Sequence, residues 1–287
     1  MLEKTTALVC AVLGATLSIA RADTDPTESG ATPPSAASAD GPDRLTLPKG
    51  RAVLDAYLGI NLSKGEAGKP ITLSPDIWYG VSDELTVGLV HSGVGTTGFI
   101  GSLGSVYGAA SLCLTGKDNG CADVYRTAGL EGRYKLSFGG KDLSLAANGG
   151  LFVGSFSDPF VLDLKAGLLG RWHKDKLAVE FSPNVFIALT NRSVGNVNYN
   201  RDFLNIPVTG LYNVMPKLDI ALQLGVSLPF EDAGTFYSIP LSIGAHYAVN
   251  ESLSVTGAFS LTALAGGDNV ATGADGRTLV IGGTYAF

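Results

Sequence analysis

Side chains able to support acid–base or nucleophilic chemistry are few in this chain of 287 residues. It has three histidines, His91, His173 and His246. Ser92 follows His91, but adjacent residues of a strand point to opposite faces, so the two cannot act as a pair. His246 lies among small polar residues, where a lone histidine is usually structural. We therefore expect no catalytic residue, and a lipid-hydrolysing enzyme with His91 at its outer rim is the less favoured alternative.

The cysteines predict a disulfide. Cys10 lies in an N-terminal segment with the character of an export signal, which leaves Cys113 and Cys121 in the mature chain. An even pair of cysteines in an exported chain indicates a bridge closing a short loop. No histidine accompanies them, so a metal site is disfavoured and no cofactor is expected.

The N-terminus has the pattern of a cleaved signal peptide. Lys4 precedes an apolar run over residues 7–20, and Ala20-Arg21-Ala22 fits a small-x-small cleavage site. Residues 1–22 are therefore predicted to be removed; a lipoprotein anchored at Cys10 is disfavoured because Val9 fits that signal poorly. Residues 23–48 are rich in Ala, Ser, Pro, Asp and Gly. This composition predicts a disordered periplasmic leader.

The remaining composition excludes several classes of protein. The net charge of −6 argues against binding nucleic acid, which requires a basic face. Mean hydropathy is +0.24 and only 16% of residues are charged, fewer than the roughly 25% of ordinary soluble domains. No later segment has the apolar length of a spanning helix. Only helices and closed barrels satisfy all backbone groups in lipid, so the composition favours an all-β transmembrane barrel.

Alternating segments follow from Arg51 onward. In residues 51–62 the apolar side chains occupy one face, and Asp55, Tyr57 and Asn61 the other. We count about twelve such segments, each close to the 9–11 residues of a tilted membrane strand. The connections alternate between short and longer stretches, which is typical of outer-membrane barrels with short periplasmic turns and longer extracellular loops.

Aromatic residues recur at one position in this pattern. Strands running toward the short turns end with an outward aromatic side chain, as expected for a girdle at the headgroup level. The predicted girdle consists of Tyr79, Tyr134, Trp172, Tyr212, Tyr247 and Tyr285.

The final residues Tyr285-Ala286-Phe287 complete the pattern. With the alternating strands and the girdle, the chain from about residue 49 to 287 resembles the bacterial outer-membrane β-barrel (porin-like) superfamily. The resemblance implies a closed antiparallel barrel in the outer membrane of a Gram-negative bacterium, surrounded by its lipids. It also implies that Phe287 is a signal read by the barrel assembly machinery during insertion.

The polar strand faces predict the residues lining the lumen. These are Asp55, Asp76, Glu131, Arg133, Lys135, Asp163, Lys165, Arg171, Glu180, Asp219 and His246. Folding at the turns near Gly139-Gly140 and Phe156 predicts two neighbouring rows, an acidic one of Glu131–Asn148–Asp163 and a basic one of Arg133–Ala146–Lys165. Asp55 and Asp76 are expected side by side, roughly opposite these rows.

Two functions remain open for such a barrel. Small residues dominate the rest of the inner face, which favours a narrow channel for passive diffusion of ions or small solutes. The alternative is a non-conducting structural or surface-binding barrel filled by a salt-bridge network. The loop 93–121 is expected either to fold into the mouth or to form a clasped surface hairpin. Four prolines inside proposed strands should mark bulges or strand ends, namely Pro75, Pro183, Pro207 and Pro240.

Overall fold

The computed structural model describes residues 45–64, 68–91, 112–121, 123–194, 197–198 and 200–287. These residues form a closed antiparallel barrel of twelve strands, confirming the predicted fold class. The strands are β1 (Ala52–Asn61), β2 (Ile71–Gly80), β3 (Leu85–Val90), β4 (Leu112–Cys113), β5 (Ala128–Gly140), β6 (Leu143–Ser155), β7 (Val161–Lys174), β8 (Leu177–Phe181), β9 (Asn184–Ala188), β10 (Ser193–Val194), β11 (Val197–Asn198), β12 (Phe203–Met215), β13 (Leu218–Pro229), β14 (Ser238–Ala248), β15 (Leu253–Gly266) and β16 (Arg277–Ala286).

The barrel closes between its first and last long strands. β1 pairs with β2 on one side and with β16 on the other. β8 and β9 are two halves of one barrel strand, since both lie between β7 and β12. β4 pairs briefly with β2, and β10 and β11 form a separate two-stranded hairpin.

Alternation along the strands separates an apolar outside from a polar inside. On β13, Ile220, Leu222 and Leu224 are exposed, whereas Asp219 and Gln223 are buried. Successive side chains of a strand point to opposite faces, so the period of two in the sequence becomes the two surfaces of the barrel.

Connections differ at the two ends of the barrel, as predicted. Short turns join strands at one end, called the short-turn end here, and longer segments join them at the other, the loop end. Two of these turns contain a non-glycine residue in left-handed backbone geometry, Asp175 with φ 52° and Lys217 with φ 76°. Such geometry suits two-residue hairpin turns, whose twist matches that of the strands they join.

The prolines are accommodated in two ways. Pro183 separates β8 from β9, and Pro240 lies at a register shift between β14 and β15, so the prediction is confirmed for both. Pro75 and Pro207 instead lie inside strands, which corrects the prediction for them. On one side of each proline the strand pairing is interrupted, so the missing N–H is not needed there. Pro75 lies beyond the end of the β2–β3 pairs. Pro207 lies opposite the break between β8 and β9, where its carbonyl accepts a hydrogen bond from the Ser182 backbone N–H.

Outside the strands, one four-residue α-helix spans Ala233–Phe236. In the described ranges no helix is long and apolar enough to cross a membrane. Most of the loop predicted over residues 93–121 lies outside the described residues. Four residues assigned by sequence to the leader, Leu45–Pro48, are described, and Leu45 and Thr46 are buried.

Candidate functional site

The residues predicted to line the lumen occupy inner-facing positions of the barrel. All except the half-buried Lys135 have at most 5% of their surface exposed. The inside of the barrel is therefore tightly occupied by polar and charged side chains, and the geometry of their pairing decides what they can do.

Pairing across β5, β6 and β7 differs from the predicted rows. Arg133 pairs with Asn148, and Glu131 pairs with Gly150, which pairs in turn with Lys165. Acidic and basic residues are thus interleaved rather than segregated. The prediction was wrong because β5 extends through Gly140 and β6 through Ser155, so both connections lie later than assumed. When the centre of a turn moves by one residue along the chain, every residue of the first strand pairs with a residue two positions further along the second strand.

An ion-pair cluster lies at the centre of this region. The Lys165 Nζ donates to Glu131 Oε2 at 2.7 Å, and Arg133 Nε donates to Glu131 Oε1 at 2.9 Å. Gly150 on β6 pairs with both Glu131 and Lys165, and a Cβ at this position would lie 2.1 Å from the Leu130 carbonyl oxygen. Because buried charges are costly unless paired, Glu131 compensates two cations at once. We call Lys165, Glu131 and Arg133 the central cluster.

The central cluster extends onto β2 through an aromatic ring. The Arg133 guanidinium lies 3.8 Å from the centroid of the Trp78 ring, a cation–π geometry. Trp78 is 2% exposed and faces inward. Trp78 lies two residues after Asp76 on the same strand, so both side chains point to the same face. The sequence interpretation did not use this signal.

Asp55 and Asp76 pair across β1 and β2, as predicted. The Thr284 hydroxyl donates to Asp55, and the His91 backbone N–H donates to Asp76 Oδ1 at 2.6 Å. Their predicted position roughly opposite the central cluster is wrong, since β3 alone separates β2 from β5. The two carboxylates and the central cluster thus belong to one side of the barrel.

Two further polar groups lie nearer the short-turn end. Arg171 forms an ion pair with Glu180 between β7 and β8. Asp219 Oδ1 accepts a hydrogen bond from the Asn213 side chain at 2.9 Å, and Asp219 Oδ2 lies 3.8 Å from the His246 Nδ1. The short-turn end of the lumen therefore has its own charged groups, on β7, β8, β13 and β14.

The inner face has two unlike sides. The charged wall consists of the inner positions of β1 to β8, which include the central cluster and the two aspartates. Apart from Asp219 and His246, the described inner positions of β12 to β16 carry no ionisable side chain. This neutral wall includes Ala221, Gln223, Ser242, Ala258 and Ser260, with the Ser242 and Ser260 hydroxyls 3.0 Å apart.

Inward aromatic rings form a second group that sequence reasoning missed. Phe186 stacks on Phe203 with centroids 4.7 Å apart, and Phe152 meets Phe186 edge-on at 5.7 Å. The Lys165 Nζ lies 5.4 Å from the centroid of Phe152. Each phenylalanine shares the inward phase of a polar neighbour on its strand, so the alternation alone would have placed all three.

At the loop end, a disulfide links Cys113 and Cys121, whose Cα atoms are 6.2 Å apart. Beside it, Lys117 forms an ion pair with Asp123 at 3.3 Å. The Ser157 hydroxyl donates to Asp123. This hydrogen bond, together with the charge of Lys117, holds the pKa of Asp123 below its usual range.

His91, the alternative catalytic candidate, is buried, and both of its ring nitrogens have a partner. Its Nε2 lies 3.1 Å from the Tyr125 hydroxyl, and its Nδ1 contacts the Pro75 carbonyl. Ser92 lies outside the described residues. Among the residues that the structure describes, no group of three or more His, Cys, Asp or Glu is placed to hold a metal ion.

The predicted girdle residues lie on the outer face near the short turns. Their pairing partners are close to strand ends, as with Tyr79 opposite Ala52 and Tyr247 opposite Leu218. All are at least partly exposed, from Tyr134 at 54% to Trp172 in the intermediate class. Phe287 follows β16 directly and is 39% exposed.

Comparison with known proteins gives a fold without a family. No protein-family model matches the chain, and no curated protein matches its sequence. Among solved structures, the NanC porin superposes with a TM-score of 0.55 at 9% identity, over 81% of this chain and 98% of that one. An outer-membrane channel from Pseudomonas putida F1 gives 0.53 at 14% identity, over 87% and 100%. The KdgM porin gives 0.51 at 12% identity, over 82% and 99%. The chain therefore has the fold of outer-membrane porins and channels.

Proposed function

We propose that this protein is an outer-membrane barrel that serves as a narrow channel for passive diffusion of ions or small solutes. The observation that carries the proposal is the closed barrel with an apolar outer face and an inner face of charged and small polar side chains. An apolar outside is what lipid requires of a spanning barrel, and a polar inside is what an aqueous path requires. The fold shared with porins and channels is consistent with this role.

The arrangement of inner charges suggests how the channel discriminates between cations and anions. A solute passing the centre has the central cluster and the paired aspartates on one side and the neutral wall on the other. Acidic side chains outnumber basic ones on the inner face, so we expect a preference for cations. We propose a passive role for these residues and no enzymatic activity.

A second candidate is the non-conducting barrel, because the inner face is so closely packed. Arg133, Glu180 and Ser242 have no exposed surface. The central cluster also satisfies its own charges, as a structural network would. In this alternative the ion pairs stiffen the barrel and nothing passes through it.

Conductance in planar lipid bilayers separates the two candidates. The purified, folded protein is expected to give discrete current steps and a reversal potential, in a salt gradient, that indicates cation preference. Absence of steps from protein that migrates differently before and after boiling would favour the filled barrel.

Lys165→Gln tests the role of the central cluster. It leaves Glu131 with Arg133 as its remaining cation, so cation preference should increase. A neutral replacement is preferable to an acidic one, which would place a second carboxylate beside Glu131 in a buried site. Losing a partner of a buried ion pair costs about 3–5 kcal/mol, so the folded fraction must be measured as well. Lys176→Gln, in an exposed turn, is the matched control and should leave the reversal potential unchanged. An unchanged potential in folded Lys165→Gln protein would contradict the assignment.

Export and processing are part of the same proposal. Residues 1–22 are proposed to be cleaved as a signal peptide, which leaves residues 23–48 as a leader on the periplasmic side and residues 49–287 as the barrel. Intact mass measurement of protein extracted from the outer membrane should place the first residue at Asp23. A mass that includes residues 1–22, or a lipid on Cys10, would overturn this assignment.

A further inference from the structure

The chain enters its first strand from inside the barrel. Leu45 is 2% exposed and packs in one cluster with Ala146 and Leu169. Ala146 faces inward on β6, close to the short turn that precedes this strand. Leu169 pairs with Ala146 and faces inward on β7, in the half that leads to the short turn after β7. Leu45 therefore lies within the short-turn mouth of the lumen rather than outside it.

The next residues stay against the inner wall. Thr46 is 4% exposed, and Leu47 packs beside the inner cluster that contains Trp78. The Leu47 backbone N–H donates to the inward Thr86 hydroxyl at 2.7 Å. Two side chains and one backbone group thus seat the segment on β3, β6 and β7.

A tight reversal connects this segment to β1. Gly50 has φ +79°, and its N–H donates to the Gly80 carbonyl at 2.8 Å. The Lys49 N–H donates to Asp83 Oδ1 at 3.0 Å. A Cβ at Gly80 would lie 2.1 Å from the Pro48 carbonyl oxygen, so the chain can pass this point only because residue 80 is glycine. Two hydrogen bonds and one close backbone contact therefore hold the reversal against Gly80 at the end of β2 and Asp83 in the turn that follows it.

We propose that Leu45–Pro48 is a built-in constriction that narrows the short-turn mouth of the lumen. The inference rests on the proposed channel function for its effect on current, but the seating of the segment is independent of that function. Barrels whose lumen is occupied by a segment of their own chain are physically possible at many sizes. Here the segment occupies space beside the charged wall, between the central cluster and the short-turn end.

Cysteine labelling measures the seating directly. Ala146→Cys places a thiol beneath Leu45, and Cys113 and Cys121, the two cysteines of the proposed mature chain, are already joined in the disulfide. In otherwise native protein the thiol should react slowly with a small water-soluble maleimide. Adding Leu45→Gly and Leu47→Gly should raise the labelling rate by about tenfold or more. Lys49→Ala, which changes the exposed residue directly after the segment, is the control and should leave the labelling rate unchanged.

Single-channel conductance of the same variants measures the constriction. Leu45→Gly with Leu47→Gly should increase conductance at least about twofold, while Lys49→Ala keeps the native value. Equal labelling rates with and without the glycine pair would overturn the proposal, as would faster labelling with unchanged current in a conducting barrel. Faster labelling without current in any variant would retain the seating and overturn the channel function instead.

Discussion

Large inner side chains fit into this small barrel by lying flat on glycine. The Trp78 ring covers Gly88 of the neighbouring β3, and the Phe152 ring covers Gly129 of β5. Tyr57 covers Gly282 of β16 in the same way. A ring that packs on a glycine of the neighbouring strand stays close to the barrel wall and projects less into the lumen. These glycines therefore determine how much of the lumen the aromatic residues occupy.

Substituting one such glycine should push its ring away from the wall. A Cβ at Gly88 would lie 2.2 Å from the Trp78 ring, so Gly88→Ala must displace Trp78 and disturb the Arg133 contact. Overpacking of this kind typically costs about 1–3 kcal/mol, and we expect lower conductance together with a lower unfolding temperature. Trp78→Phe in the same background should restore part of both values.

Gly257→Ala is the matched control for this substitution. Gly257 lies on β15 and has no heavy atom within 4 Å of an added Cβ. Conductance and unfolding temperature should remain native. If Gly88→Ala behaved like Gly257→Ala, the rings would not be confined by their glycines.

At the scale of elements, local alternation was predictable, whereas register was predicted correctly for the β1–β2 hairpin and wrongly across β5, β6 and β7. The outward run on β13 and the pairing of Asp55 with Asp76 follow from residues near each other in sequence. The contacts of Glu131 depend on where two connections fall and on a bulge between Leu136 and Gly140, neither of which has a distinct sequence signal. The cationic partner Lys165 was thus assigned to the wrong row, although its inward orientation was correct.

Loops at the loop end are joined by a polar contact that can be tested by titration. The hydrogen bond from Ser157 lowers the pKa of Asp123, so the folded state gains stability above the ordinary pKa of an aspartate. That contribution is lost as pH falls through the lowered pKa. Ser157→Ala should raise the pKa of Asp123 toward its usual value.

Carboxyl NMR of labelled aspartates checks this shift, with Asp123→Asn used to assign the signal. Ser193→Ala, in a different loop, is the control and should leave the titration midpoint unchanged. A midpoint that stays low in Ser157→Ala would mean that the basic side chains of Lys117 and Arg126 hold the carboxylate ionised.

At the scale of the whole molecule, one chain carries three surfaces with different requirements. The outer face is apolar, the charged wall pairs its ions on β5, β7 and β8, and the neutral wall carries small uncharged side chains. The closing pair of β1 and β16 joins these surfaces, since every strand then has two neighbours and no edge remains unpaired among the described barrel strands. Closure therefore depends on the last strand reaching its register, with Leu54 opposite Tyr285.

The residue that follows this strand should act on assembly rather than on the finished barrel. Phe287 directly follows β16 and leaves part of its side chain exposed. We expect Phe287→Ser to reduce the amount of barrel in the outer membrane of cells several-fold, whereas purified protein refolds in detergent with native yield. Phe287→Trp keeps an aromatic end and should assemble normally. Equal loss of refolding in detergent would show that Phe287 stabilises the barrel itself, and equal assembly of the serine variant would remove its role as a signal.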